Sequence, residues 1–281
     1  MRARRLSLSA GWLAAALLAE VASAPAQSPS REHPRLPHIV PAGRREALVV
    51  GTLFLPQKLA RKKRMPLLVH FHGAAWVAET AAAKDGRWAV ISVETGEGST
   101  VYAQQFSDRA LFGRMLSEAS RKTGIRFGPI VLSAWSAGHG AIREILEVPA
   151  YYRTVDKVLL VDGLHTAYVG KPNAAEAALD ADHLAIFLKF ARDSVAGRKT
   201  MLITHSQIVP GAFASTTETA DWLLAHLKLR RRPVSKSGPM DMRELSEVRA
   251  GRFRLMGYAG NSGEDHVDQF QSLPALMRFL R

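Results

Sequence analysis

Along most of the chain, short apolar runs alternate with stretches of helical periodicity. Leu48–Leu55 reads as a strand stopped by Pro56, and Pro66–Phe71 reads as a buried strand. Trp88–Val93, Pro129–Ala134, Lys157–Val161, Met201–Thr204 and Phe253–Tyr258 repeat that texture. Helical patterns lie between them. The longest covers Thr100–Thr123, with Tyr102, Phe106, Leu111 and Met115 at helical spacing; others cover Ala137–Leu146, residues 174–195, Glu218–Leu229 and Val267–Leu280. Apolar strands alternating with helices predict an α/β chain, a mostly parallel central sheet flanked by helices on both faces. No repeat or linker interrupts the pattern, so one domain is expected over residues 47–281.

The beginning of the chain has a different texture. Arg2, Arg4 and Arg5 precede an apolar run from Leu6 to Ala19, and Ala22-Ser23-Ala24 and Ala24-Pro25-Ala26 follow it. A basic end, an apolar middle and a small-residue exit form the pattern of a secretory signal, expected here over residues 1–26 with cleavage after Ala26. Residues 27–46, rich in Pro, Ser, Arg and His, read as a flexible lead-in. The expected location is therefore secreted or periplasmic, with a bacterial-type export signal.

Composition narrows the chemistry. The 281 residues include no cysteine, which excludes disulfides, thiol nucleophiles and cysteine-ligated metal centres. The formal charge of +13 raises the question of an anionic partner. Three arginines of that excess lie in the signal-like segment. Arg61–Arg64 and Arg230–Arg232 sit between predicted elements and read as solvated loop charges. No nucleic-acid module or aromatic platform accompanies them, so no nucleic-acid partner is expected. A weak association with anionic cell-surface polymers is the most that they suggest.

Candidate chemistry begins at Pro129–Gly140, where a predicted strand runs through Ala134-Trp135-Ser136-Ala137-Gly138 into a helix. Strand, serine and helix in that order form a nucleophile elbow, which needs small residues two before and two after the serine because strand and helix cross closely there. Ala134 and Gly138 meet the demand, with alanine in place of the usual first glycine. A second segment, Leu67–Trp76, is a strand ending in His72-Gly73. With both segments present, the chain resembles the α/β-hydrolase superfamily, in which a His-Gly pair after the corresponding strand begins the oxyanion loop. The resemblance implies that the backbone amides of Ala74 and Ala137 hold an oxyanion, with His72 and Gly73 supporting the loop. It also implies a histidine after the last strand, and His266 lies in the segment that follows Phe253–Met256 and leads into the terminal helix.

The acid of such a triad is less plainly marked. Many relatives carry it after the strand before the histidine strand, where this chain reads Thr204-His205-Ser206-Gln207 without a carboxylate. The preceding strand ends in Asp162-Gly163, a position that some hydrolases of this fold use, so Asp162 is the expected acid. Asp265, Asp241 and Glu218 are alternatives, and a turn-capping role for Asp162 is the structural one. Glu94, at another strand tip, is expected to orient a loop or a substrate. His70-x-His72 has a metal-ligand spacing, but no further ligand cluster accompanies it, and the implied chemistry uses no cofactor or metal. Trp76, Trp135, Tyr102, Phe106 and Phe213 are candidate pocket walls. About 38 residues separate the Val161 and Met201 strands, most of them taken by one crossover helix, so no large lid domain is expected.

The resemblance thus implies an exported serine hydrolase that cleaves an ester or related acyl bond of a small-molecule or polymer-linked substrate through an acyl-enzyme intermediate. A non-catalytic binding domain of the cell envelope, a peptidase and an acyltransferase stay open on the same frame.

Overall fold

The computed structural model describes residues 32–59, 62–170 and 178–280. The signal-like segment 1–26 lies outside them. The strands are β1 (Gly43–Ala47), β2 (Thr52–Pro56), β3 (Arg64–Phe71), β4 (Ala89–Val93), β5 (Arg126–Trp135), β6 (Val155–Val161), the short β7 (Tyr168–Val169) and β8 (Ala178–Leu179), β9 (Thr200–His205), β10 (Arg232–Ser237), β11 (Arg243–Ala250) and β12 (Phe253–Tyr258). The helices are α1 (Ala75–Asp85), α2 (Ser99–Phe106), α3 (Leu111–Thr123), α4 (His139–Glu147), α5 (Pro149–Thr154), α6 (Ala181–Val195), α7 (Thr216–Leu227), α8 (Gly263–Gln271) and α9 (Leu273–Leu276).

Ten strands form one sheet in the order β1-β2-β4-β3-β5-β6-β9-β12-β11-β10. The six from β4 to β12 in that order run parallel, and antiparallel strands close both edges. Side-chain alternation divides the core into two layers. Leu67, Val69 and Phe71 of β3 face one, with Phe112, Ile142, Phe187 and Leu223 from α3, α4, α6 and α7. Leu68 faces the other, with Val77 of α1, Phe270 of α8 and Leu276 of α9. Each such fully buried side chain contributes about 1.5–3 kcal/mol of transfer free energy. The result is the expected mostly parallel sheet with helices on both faces.

Several expectations change. The long helix over Thr100–Thr123 is two helices, because Ser107 Oγ bonds the Gln104 carbonyl and Asp108 takes the Ala110 amide, diverting the backbone between α2 and α3. The terminal helix starts earlier, at Gly263, where Ser262 and Asp265 form a reciprocal capping box. It breaks after Gln271, and Pro274, which has no N–H to donate, lies in the next short helix. Part of the expected lead-in is ordered. Gly43–Ala47 pairs with β2, while His33 and Arg35 both bond Asp268 and the Leu36 amide bonds Gln271. Pairing with a buried carboxylate and with a sheet edge fixes a segment whose composition alone suggests mobility. Between β6 and β9 the described residues hold β7, β8 and α6, with no large lid.

Strand and helix approach most closely at Gly138, where a Cβ would lie 2.3 Å from the Phe71 carbonyl oxygen, a backbone atom that cannot swing aside. Its φ of −61° is ordinary, so space alone demands glycine. Gly138→Ala should therefore cost about 1–3 kcal/mol through overpacking. Gly263→Ala, with nothing within 4 Å of the new Cβ, should be neutral or stabilising by about 0.4–1 kcal/mol. Urea denaturation of the two variants distinguishes the cases.

Candidate active site

Three non-glycine residues with positive φ stand at one edge of the sheet: His72 (φ 69°), Ser136 (φ 47°) and Asp162 (φ 42°). They follow β3, β5 and β6, which are adjacent. A non-glycine residue held there costs of order 1–3 kcal/mol and persists only where its surroundings over-determine it, typically at sites of chemistry.

Ser136 opens a 3-10 turn between β5 and α4, with Ala134 fully buried before it and Gly138 against the β3 backbone after it. The Asp162-Gly163 turn comes so near that a Cβ on Gly163 would lie 2.6 Å from the Ser136 amide nitrogen. His139, in the first turn of α4, bonds the Ser136 carbonyl at 3.0 Å through Nδ1. Since a carbonyl only accepts, that nitrogen carries the proton. Burial, with His165 nearby, pushes His139 down to about 3 and keeps it neutral.

Asp162 is the second centre. Its side chain is almost wholly withdrawn from water, and each carboxylate oxygen has a partner. Oδ1 accepts from the Ser206 amide at 2.8 Å and from Thr216 Oγ1 at 2.7 Å. Oδ2 lies 2.7 Å from His266 Nδ1. Burial alone raises the carboxyl, but the His266, Thr216 and Ser206 hydrogen bonds outweigh it and hold Asp162 below the usual carboxylate range. An ionised Asp162 takes the proton of His266 Nδ1 as a hydrogen bond, which leaves Nε2 with a free lone pair. His266 sits in the first turns of α8. Trp135 stacks beside its ring at 4.6 Å and donates from its indole nitrogen to the His266 carbonyl at 3.1 Å. Among the described residues, no hydrogen bond joins Ser136 Oγ to His266.

The other expected acids are engaged elsewhere. Asp265 completes the α8 cap, accepting from Ser262 Oγ and from the amides of Asn261 and Ser262. Glu218 completes the α7 cap with Ser215 and accepts from Tyr168. Asp241 lies in the turn between β10 and β11, exposed to solvent.

The loop after β3 is held by Glu94 at the tip of β4. Its carboxylate accepts from Tyr102 OH and from the Gly73 amide, both at 2.6 Å, and from the Gly96 amide at 3.2 Å. Burial raises Glu94, but these bonds and the nearby His72 more than offset it, so its carboxyl lies below the ordinary value. Gly73 therefore has a committed N–H, and the next amide, that of Ala74, stands at the start of α1. Ala137 likewise lies in the first turn after Ser136. Helix-initial amides have no intrahelical acceptor and are free for an anion. His72 bonds Tyr102 OH at 3.0 Å and stacks on Trp135 at 5.1 Å, while Gly73 lies against the Phe270 ring.

A serine turn after the third parallel strand, an aspartate turn touching it, and a histidine following the last parallel strand occur here in one frame. The chain has the α/β-hydrolase fold. No protein-family model and no curated protein matches the chain. Solved structures that resemble this hydrolase fold include TT1662 from Thermus thermophilus, at 17% identity, TM-score 0.47 and coverage of 85% of this chain and 99% of that one. An esterase structure from Rhizomucor miehei has 11% identity, TM-score 0.48 and coverage of 86% and 84%. The carboxylesterase CesB from Bacillus subtilis has 9% identity, TM-score 0.44 and coverage of 86% and 92%. Likeness at this level brings no chemistry with it.

Sequence reasoning missed Ser206, Thr216, His139 and Phe270. Thr216 carried a faint signal, since it opens a helix behind an S-x-x-E capping box. His70 lies in the core, 3.1 Å from Ser133 Oγ, and burial pushes it down to about 4. His70 and His72 belong to no three-ligand group among the described residues; the one such group is His33, Asp265 and Asp268, where His33 and Arg35 already bond Asp268. Of the candidate pocket walls, Tyr102 and Phe106 are buried, Trp135 lies beside Ser136, and Phe213 is exposed on the same edge. Trp76 packs against His38 instead, with ring centroids 4.8 Å apart.

A depressed carboxylate stabilises the fold above its unfolded-state value, near pH 4, and that contribution disappears as pH falls through the lower folded value. Asp162→Asn should therefore cost about 1.5–3 kcal/mol at neutral pH. The gap between the thermal midpoints of wild type and variant should narrow steadily below about pH 4. Melting curves from pH 7 to pH 2.5 check this; a gap that persists at the acid end contradicts it.

Proposed function

We propose that the protein is a serine hydrolase that cleaves an ester or related acyl bond. The observation that carries this reading is the 2.7 Å bond from His266 Nδ1 to the buried Asp162, formed beside a serine held at positive φ. Ser136 Oγ attacks the acyl carbonyl while His266 Nε2 removes its proton. Asp162 holds the imidazole in the tautomer that leaves Nε2 basic, and stabilises the imidazolium that forms. The amides of Ala74 and Ala137 receive the oxyanion. His266 returns the proton to the leaving alcohol, and water then attacks the acyl-enzyme by the same route in reverse.

Val101, Val169, Val209 and Phe213 are exposed on the elements that follow β4, β6 and β9, on the same edge as Ser136. Exposed apolar side chains on that edge suit small or polymer-linked acyl substrates reached from solvent. Export belongs to the same proposal, with residues 1–26 as the signal.

A fluorophosphonate probe should label the full chain and fail to label Ser136→Ala. Equal labelling, or none under conditions that label a reference serine esterase, would sink the enzyme reading in favour of a binding domain. Asp162→Asn should lower turnover of an activated ester by a factor on the order of 10³–10⁴, measured per folded molecule; near-normal turnover moves the acid role elsewhere. Amino-terminal sequencing of the protein recovered from an expressing bacterium should begin at Gln27, and a sequence that begins at the original methionine contradicts export by cleavage.

A further inference from the structure

The opposite edge of the sheet, where β3 and its neighbours begin, contains a cavity of about 350 Å³. Its wall carries Lys62, Arg64, Arg87 and Lys157, together with Trp88. Lys62 and Arg64 stand at the start of β3, Arg87 and Trp88 just before β4, and Lys157 near the start of β6. Four cations rooted on three strand beginnings thus share one concave space.

Among the described residues, their charges are poorly balanced. Arg87 pairs with Asp85 at 2.7 Å. Lys157 Nζ donates to the Leu280 carbonyl, which is neutral. Among the described residues, neither Lys62 nor Arg64 forms an ion pair or a side-chain hydrogen bond. Trp88 is 3% exposed, and its indole N–H finds no acceptor. An unspent buried donor is uncommon enough to call for a reason. Burial pushes the Lys157 ammonium below its ordinary value; Asp156 opposes this, while Arg252 and Arg87 add to it. A half-buried ammonium among other cations is an unfavourable arrangement that a bound anion relieves.

We propose that this cavity binds an organic phosphate, its oxyanion among Lys62, Arg64, Arg87 and Lys157 and its apolar body against Met65, Pro66 and Pro129. A carboxylate offers two oxygens, fewer than the donors available. A phosphate monoester offers three and is close to dianionic at neutral pH, and the Arg64 guanidinium can bind it bidentately. A cavity of this volume holds a small ligand. The distance from Arg64 to Phe71 along β3 is roughly 23 Å at about 3.3 Å per residue, so the site is separate from Ser136 and independent of the hydrolase reading. The same phosphoryl group is available from a soluble metabolite or from a lipid headgroup.

Calorimetric titration of the full chain with phenyl phosphate at low ionic strength tests this. Saturable binding is expected, absent with benzyl alcohol. It should weaken at least about ten-fold, the loss of one charge-assisted bond, in Arg64→Ala and in Lys157→Met, and to a smaller extent in Trp88→Phe. Ser136→Ala should bind as wild type. Arg64 is exposed, so its variant stays informative if Lys157→Met fails to fold. No binding at 10 mM phenyl phosphate on the order of a metabolite excess, undiminished binding in Arg64→Ala, or binding abolished by Ser136→Ala overturns the proposal. Flotation with phosphatidic acid vesicles identifies the source: vesicle binding displaced by phenyl phosphate assigns a lipid headgroup, and saturable phenyl phosphate binding without vesicle binding assigns a soluble ligand.

Discussion

A carboxylate taken out of water must find donors, and Asp162 finds them on three separate elements. The Ser206 amide comes from the loop after β9, the Thr216 hydroxyl from the start of α7, and His266 Nδ1 from α8. Because Oδ1 is saturated by the first two, only Oδ2 is left to meet the imidazole, and the ring orientation follows. The support continues outward. Thr217 Oγ1 donates to the Ser206 carbonyl, His205 Nδ1 donates to Thr217, and Arg231 donates to His205 Nε2 while pairing with Asp221. One member of a basic run that reads as solvated loop charge thus ends a chain of bonds leading to the buried acid. The segment after β9, which holds no carboxylate, supplies instead the Ser206 backbone amide that anchors the carboxylate following β6.

The second constraint is the close approach of backbone to backbone. Gly138 lies against the β3 carbonyl of Phe71, Gly163 against Ser136, and Gly73 against Phe270. Any side chain at these points would push apart the strand tips that bring His72, Ser136 and Asp162 together. The glycines and the positive-φ residues therefore express one requirement: the chain must turn sharply at three neighbouring strand ends without opening the core beneath. Glu94 performs for the β3 loop what Ser206 and Thr216 perform for Asp162, because it fixes the Gly73 amide and leaves the next one uncommitted.

The central strands were legible because they are apolar on both faces, and their periodicity is independent of partners. The elbow was legible because its demand is steric and local. β10 and β11 were not, since Arg232–Ser237 and Arg243–Ala250 carry mostly polar residues. Their pairing is stabilised by Arg232 and Lys236 of β10 around the buried Glu247 of β11, a cross-strand arrangement that a linear pattern does not reveal. The α1 helix escaped notice because its alanine-rich run has little amphipathic contrast to read. In the site, Ser136 and Asp162 are marked by adjacent turn residues. Ser206 acts through its amide, which leaves no trace in residue type, and His139 through a single side-chain bond to a carbonyl, which no motif marks.

The charge excess acquires a spatial meaning from the topology. In a parallel sheet every strand begins on one edge and ends on the other, so residues far apart in sequence converge simply by sharing a position relative to their strands. Asp162 and Glu94 follow strand ends, and each is saturated with donors. Lys62, Arg64, Arg87 and Lys157 lie at strand beginnings and converge on the opposite edge. The same crossover connections that bring Ser136, His266 and Asp162 to one edge therefore bring the cations to the other. A chain whose basic residues look dispersed as a sequence has a polarised sheet, with Ser136 and Asp162 at strand ends on one edge and the four cations at strand beginnings on the other.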